Sequence, residues 1–151
     1  MTVLIRKATE DDLARIALLA EEVFSYPPDI QQLQLEAKDG FHLLFAALNE
    51  NGELLGFASL MHVLDEGTLT YIAVTRHSRR LGIGDALLKA LDRAAEELSL
   101  SFITLEVRPS NGPALALYRQ NGYEHAGMIK NYYQRPQEDA LVLTKLFQAP
   151  A

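Results

Sequence analysis

A short glycine-containing segment, Arg79-Arg80-Leu81-Gly82-Ile83-Gly84, is the part of the sequence best suited to binding a charged ligand. It follows an apolar run and precedes a stretch in which leucines and alanines recur at helical spacing, which predicts that it opens a helix. The first backbone N–H groups of a helix have no partner within the helix and carry partial positive charge. Glycines there let a phosphate approach the backbone closely, and Arg79 and Arg80 add positive charge. The alternative is that both glycines merely form a tight turn.

Two common phosphate-binding motifs do not match this segment. A dinucleotide-binding loop needs a third glycine, whereas Ala86 and Leu87 already belong to the predicted helix. A Walker loop needs Gly-Lys followed by Ser or Thr, which the sequence lacks at this place. Neither nucleotide-binding fold is therefore expected.

The elements that must position this loop follow from the apolar patterning. The pattern begins with a meander of strands, and a helix then follows each of two later strands. This order predicts a three-layer α/β domain with a mixed, mostly antiparallel sheet and helices on both faces. Predicted strands cover Val3 to Lys7, His42 to Leu48, Leu54 to Met61, Thr68 to Val74, Phe102 to Val107, Glu124 to Lys130 and Ala140 to Phe147. Predicted helices cover Leu13 to Phe24 behind a capping box at Thr9 and Asp12, Asp29 to Asp39, Gly84 to Leu98 and Asn111 to Arg119.

Composition restricts the kinds of protein that the chain could be. Its 151 residues suit one domain, 1–151, and the absence of cysteine excludes disulfides and thiolate chemistry. The net charge of -6 disfavours nucleic acid as a partner. No apolar run is long enough for a membrane span or a signal peptide, so the expected compartment is the cytoplasm. The histidines His42, His62, His77 and His125 are not spaced as metal ligands, and no metal is expected.

The glycine segment resembles the acyl-CoA loop of the GNAT superfamily, which reads Arg/Gln-x-x-Gly-x-Gly/Ala, and Tyr71 to Val74 looks like the strand that precedes it in that family. From about Val63 onward the chain is also similar to one branch, the ribosomal-protein-alanine N-acetyltransferases. The matching segments are Val63-Leu64-Asp65-Glu66, Leu105-Glu106-Val107-Arg108, Ser110-Asn111, Ala116-Leu117-Tyr118, Asn131-Tyr132-Tyr133 and Glu138-Asp139-Ala140.

The resemblance implies an acetyltransferase that passes the acetyl group of acetyl-CoA directly to an amine in a ternary complex. The expected acceptor is the N-terminal α-amino group of a protein. By the same resemblance, Glu106 is expected to act as general base and Tyr118 as the general acid that protonates the departing sulfur. The residues expected to contact the co-substrate are Ile72, Ala73, Val74, Arg79, Arg80, Leu81, Gly82, Ile83, Gly84, Asp85, Asn111 and Tyr118, and those expected to contact the acceptor are Tyr132 and Tyr133.

Each assigned residue also has a structural alternative. Glu106 and Arg108 lie two apart on one predicted strand, so they project to the same face and are placed to form a surface ion pair. Tyr118 has the spacing of a buried helix tyrosine, and Asn111 that of a helix cap ahead of Pro113. Tyr132 and Tyr133 could be aromatic filler at a strand end.

Two departures from the branch leave the acceptor open. The segment Phe24 to Pro28 lacks the Pro-Trp-Ser typical of the branch, and Asp85 stands where related proteins often carry a basic residue. We expect the Asp85 carboxylate to point away from the phosphate. The alternatives are a small-molecule amine acetyltransferase and a non-catalytic module that binds acyl-CoA. The expected partner is a protein N-terminus, including that of a basic ribosomal protein, with no membrane, and the chain is expected to be a monomer or weak homodimer.

Overall fold

The structure, a computed structural model, describes residues 2–147 and is built on one seven-stranded sheet flanked by four α-helices. The strands are β1 (Leu4–Lys7), β2 (His42–Leu48), β3 (Leu54–Val63), β4 (Glu66–Val74), β5 (Phe102–Val107), β6 (Glu124–Tyr133) and β7 (Glu138–Leu146). The helices are α1 (Leu13–Val23), α2 (Ile30–Lys38), α3 (Ile83–Glu97) and α4 (Gly112–Gln120).

The strand order in the sheet is β1-β2-β3-β4-β5-β7-β6. All neighbouring strands are antiparallel except β4 and β5, which are parallel because α3 crosses over between them. The prediction of a mixed, mostly antiparallel sheet is confirmed.

Helices cover both faces of the sheet. Leucine and isoleucine side chains of α1 and Leu33 of α2 pack with Phe57 and Ala73 on one face. The apolar stripe of α3 and the inner side chains of α4, among them Leu115 and Tyr118, pack on the other face. The alternation of β3 explains the division, because Phe57 and Ala58 point to opposite faces.

Most predicted element ends lie within a few residues of the observed ones. The β4 strand begins at Glu66 rather than Thr68, because Glu66 pairs with Val63 across a turn in which Leu64 has a φ of 54°. The β6 strand continues to Tyr133, where it pairs with Glu138. Strand ends that are set by pairing across a turn are not marked by apolar residues, so the sequence pattern did not predict them.

The pairing of β4 with β5 is confined to the start of both strands. Its register runs from Glu66 and Phe102 to Thr68 and Thr104 and goes no further. Beyond Thr68, β4 pairs with β3 alone, and β5 pairs with β7. The two strands therefore separate, and a cleft opens in the middle of the sheet.

No helix within residues 2–147 is both long and apolar enough to cross a membrane.

Candidate functional site

A groove of about 750 Å³ opens at the cleft between β4 and β5. One wall is formed by β4 residues from Thr68 to Tyr71, and the opposite wall by Glu106 and Arg108 at the end of β5. The remaining sides come from α1 and the segment after it, from α2, from the start of β2, and from the β6–β7 hairpin. Those residues are Val23, Phe24, Ser25, Tyr26, Gln32, Glu36, His42, Tyr132, Tyr133 and Gln134.

The carboxylate of Glu106 is unpaired in this groove. Glu106 alternates with Leu105 and Val107, which are buried, so its side chain points away from the core and into the groove. Within residues 2–147 it takes part in no ion pair or side-chain hydrogen bond. The ion pair with Arg108 that strand alternation made plausible is wrong. A carboxylate free of protein partners can accept a proton from a bound amine.

Arg108 binds the β6–β7 hairpin instead. Its guanidinium donates to the carbonyl oxygens of Gln134 at 3.1 Å and Pro136 at 2.8 Å, and it lies 3.3 Å from a carboxylate oxygen of Glu138. The same guanidinium stacks 4.3 Å from the ring centroid of Tyr133. Arg108 therefore holds the hairpin, and with it Tyr133, against the end of β5.

Two hairpin tyrosines line the groove beside Glu106. The rings of Tyr132 and Tyr133 are 4.9 Å apart in an edge-to-face arrangement. Burial, with smaller contributions from Tyr132 and Glu106, raises the pKa of Tyr133 to about 12, while Arg108 opposes the increase. Burial, and then the charge of Glu106, also raise the pKa of Tyr132. Both phenols are neutral near pH 7 and can act as hydrogen-bond donors.

Tyr118 lies deeper than the groove tyrosines. Its side chain is 6% exposed and projects from α4 into the core, where its ring meets the ring of Tyr123 edge to face with the centroids 5.9 Å apart. The alternative of a buried helix tyrosine is thus confirmed. Burial raises the pKa of the Tyr118 phenol well above its ordinary value, with a smaller contribution from Tyr133. The phenol retains its proton at neutral pH and has one to donate.

The glycine segment opens α3 as predicted. Gly82 is the N-cap residue and has a φ of 80°, a left-handed conformation that glycine adopts without strain. The first α-helical bond of α3 is donated by the N–H of Ala86 to the carbonyl of Gly82 at 3.0 Å. The preceding amides, those of Ile83, Gly84 and Asp85, have no helical acceptor and lie where an anion would be bound.

The side chains around that turn take several roles. Ile83 is buried at 1% exposure and anchors the turn in the core, whereas Arg79, Arg80 and Leu81 are exposed. The Nε of Arg79 donates to the carbonyl of Val74 at 3.3 Å, which links the turn to the end of β4.

Asp85 and Asn111 both bind protein groups. The carboxylate of Asp85 accepts a hydrogen bond from Asn121 at 2.7 Å, at the far end of α4. The side chain of Asn111 caps α4 by accepting from the N–H of Ala114 at 3.2 Å, so the capping alternative is confirmed. Neither contact involves the unpaired amides of Ile83 and Gly84.

The β4 segment named as a co-substrate contact flanks the open cleft. Ile72 and Val74 pack toward α3, and Ala73 packs toward α1. The backbone of all three pairs with β3 on one side and lies beyond the last pair with β5 on the other.

Several groove residues were not assigned to the acceptor site from the sequence. Tyr71, Gln32, Glu36 and His42 lie on three different elements, and only the fold brings them together. The alternation of Tyr71 with Ile72 was the one available signal, since it places Tyr71 on the face away from α3. No cluster of three or more potential metal ligands occurs within residues 2–147, and His77 is exposed.

The chain belongs to the acetyltransferase (GNAT) family, whose model matches residues 6–123. It is accordingly an N-acetyltransferase, and the family resemblance read from the glycine loop is confirmed. It is 38% identical over 109 residues to the ribosomal protein bS18-alanine N-acetyltransferase of Escherichia coli (strain K12), a match that covers 71% of this chain and 74% of that enzyme.

Solved structures agree with that assignment. The ribosomal-protein-S18-alanine N-acetyltransferase of Escherichia coli superposes with a TM-score of 0.88 at 30% identity, over 99% of this chain and 97% of that one. The ribosomal-protein-alanine N-acetyltransferase of Brucella melitensis superposes with a TM-score of 0.83 at 27% identity, over 95% and 99% of the two chains.

Proposed function

We propose that the protein transfers the acetyl group of acetyl-CoA to the N-terminal α-amino group of a protein, with Glu106 and Tyr118 as the catalytic residues. The observation that carries this proposal is the unpaired carboxylate of Glu106 in the groove beside the open cleft. The relatives named as alanine N-acetyltransferases of ribosomal protein bS18 support the choice of acceptor.

The co-substrate would be held by the first turn of α3 and by β4. Acetyl-CoA supplies the acetyl group as a thioester. The amides of Ile83 and Gly84 would bind its pyrophosphate, with Arg79 and Arg80 adding positive charge and Leu81, Gly82 and Asp85 completing the turn. The β4 backbone at Ile72, Ala73 and Val74, with Asn111 across the cleft, would hold the pantetheine arm.

The two catalytic residues move one proton each. Glu106 takes a proton from the acceptor ammonium, directly or through a water, because only the neutral amine attacks a carbonyl carbon. As the new C–N bond forms and the C–S bond breaks, Tyr118 gives its proton to the departing sulfur. The nitrogen loses its second proton at the same stage, and that proton returns to the Tyr118 oxygen, directly or through water. The phenol is protonated at neutral pH and so has a proton to give, while burial, which raises its pKa, makes it a weaker acid than an exposed tyrosine.

The acceptor would enter from the side of α1, α2 and the hairpin. Tyr132 and Tyr133 would pack against its first residues, and the carboxylates of Glu36 and Glu106 favour a cationic segment, as in a basic ribosomal protein. We further propose one acetyltransferase domain over 1–151, of which residues 1 and 148–151 lie outside the described part. The cytoplasmic compartment, the lack of nucleic-acid and membrane partners, and a monomer or weak homodimer remain predictions.

A second acceptor class is favoured by one observation. Phe24, Ser25 and Tyr26, which belong to the segment that departs from the branch, line the groove directly. A small-molecule amine would use the same catalytic residues with a different fit to this wall.

Initial rates of CoA release would separate the acceptors. The panel contains an alanine-starting peptide from a ribosomal protein, the same peptide with a blocked α-amino group, a lysine peptide and free small amines. We expect turnover on the first peptide alone. Turnover confined to small amines would overturn the proposed acceptor, and tight acetyl-CoA binding without turnover on any member would favour the non-catalytic module.

A further inference from the structure

We propose that the hydrogen bond between Asp85 and Asn121 is a latch that fixes α4, and hence Tyr118, to the co-substrate turn of α3. This inference rests on the proposed function, because it gives these two residues a role in positioning the acid, in addition to the place of Asp85 in the co-substrate turn. Asp85 lies in the first turn of α3, and Asn121 is the C-cap residue of α4.

The latch consists of one side chain shared between two helices. The Nδ2 of Asn121 donates to the carboxylate of Asp85 at 2.7 Å and to the carbonyl of Leu117 at 2.9 Å. Its backbone N–H donates to the carbonyl of Tyr118 at 3.1 Å. Asn121 is therefore bound to the last turn of α4 at both its backbone and its side chain, and any movement of that turn changes its distance to Asp85.

The two helices touch beside this hydrogen bond. A Cβ built on Gly84 would lie 3.0 Å from Cδ2 of Leu117, closer than side chains normally pack. Gly84 thus allows α4 to approach the first turn of α3, and the adjacent Asp85 binds the end of the same helix. An apolar contact and a charge-assisted hydrogen bond together set the spacing of the two elements.

That spacing matters because the two elements carry different parts of the reaction. The amides of α3 would hold the pyrophosphate, whereas Tyr118, next to Leu117, would meet the sulfur at the other end of the pantetheine arm. An error in the position of a catalytic group of about 1 Å can cost roughly a hundredfold in rate. Loss of the latch is therefore expected to lower kcat while leaving the amides free to bind CoA.

The charge of Asp85 makes a separate contribution. A carboxylate in the first turn favours the helix dipole, but it opposes a phosphate bound to the same turn. Removal of the charge with retention of an acceptor oxygen, as in Asp85→Asn, is expected to tighten CoA binding about two- to fivefold. The amide oxygen introduced by this substitution would still accept from Asn121.

The test compares Asn121→Leu, Asp85→Ala, Asp85→Asn and the double variant Asp85→Ala/Asn121→Leu. Gln34→Leu is the matched control, because Gln34 of α2 donates to Glu10, in the short 3₁₀ turn Glu10–Asp12, at 3.1 Å. This is another amide–carboxylate hydrogen bond between two elements, and it lies away from the groove lining. The measurements are CoA binding by calorimetry, thermal unfolding, and kcat and KM with the acceptor found for the wild type.

We expect kcat to fall about ten- to a hundredfold in Asn121→Leu and Asp85→Ala, with no further loss in the double variant. The Kd for CoA in Asn121→Leu should stay within about twofold of the wild type, and kcat in Asp85→Asn should recover most of the loss seen in Asp85→Ala. A kcat in Asn121→Leu equal to that of Gln34→Leu would overturn the latch alone, as would additive losses in the double variant. Absence of acetyl transfer by the wild type would overturn the proposed function, and the latch with it.

Discussion

Replacement of Gly82 by valine is expected to weaken CoA binding far more than its modest effect on folding stability would explain. Gly82 has a φ of 80°, and a Cβ placed there would meet no atom within 4 Å. The cost to folding is therefore backbone strain alone, about 1–3 kcal/mol for a non-glycine residue in this region. In a chain of this length each kcal/mol lowers Tm by roughly 2–4 °C. The valine side chain would, however, stand over the amides that we assign to the pyrophosphate.

Gly52 offers a matched control, because it has a φ of 78° in the β2–β3 turn and also has no atom within 4 Å of a built Cβ. Gly52→Val should lower Tm to a similar extent and leave CoA binding unchanged. Gly82→Val should weaken CoA binding about 10- to 100-fold, as expected for the loss of one hydrogen bond to a charged group at about 1.5–3 kcal/mol. Calorimetric titration with CoA, with thermal unfolding alongside, gives both numbers. Equal CoA affinity in the two variants would refute the assignment of the α3 turn to the pyrophosphate.

Three further substitutions test other parts of the account. Glu106→Gln should lower kcat about 10²- to 10⁴-fold with an unchanged Kd for CoA, and undiminished turnover at neutral pH would remove Glu106 as the base. Tyr118→Phe should lower kcat while CoA binding persists, and an unchanged kcat would assign Tyr118 to packing only. Asp12→Asn should cost about 1–3 kcal/mol of stability by urea unfolding, because the carboxylate is 1% exposed and accepts from Arg6, Arg15 and Thr9. Burial raises the pKa of Asp12, but the hydrogen bonds from Arg6 and Thr9 and the charge of Arg6 outweigh it and hold the pKa well below its ordinary value. This stability is therefore present above about pH 4 and declines as the pH falls. An equal dependence of stability on pH in the variant would contradict this.

The parts of the fold that sequence could predict are those with local causes. The α3 helix and its glycine turn follow from helical periodicity next to Gly82, and the β2–β3 hairpin follows from the Asn51-Gly52 turn. The cap on α4 could likewise be predicted, because Asn111 followed by Pro113 is typical of a helix N-terminus.

The parts that escaped prediction depend on contacts between distant segments. Alternation correctly placed Glu106 and Arg108 on one face, but the ion pair that this offered as an alternative does not form. Arg108 instead contacts the hairpin at Gln134, Pro136 and Glu138. The separation of β4 from β5 beyond Thr68 is a matter of sheet register, which no local pattern records. Glu36 on α2 and His42 on β2 also could not be assigned to the groove from the sequence, because only the packing of these elements around the sheet brings them there.

The most direct test of the account is to locate the acetyl group on a peptide that offers both kinds of amine. An alanine-starting ribosomal peptide with an internal lysine would be incubated with acetyl-CoA and either the wild type or Glu106→Gln, and the product fragmented by mass spectrometry. The account predicts acetylation of the α-amino group by the wild type and far slower formation of the same product by the variant. Acetylation of the lysine alone, or equal rates for the two proteins, would contradict it.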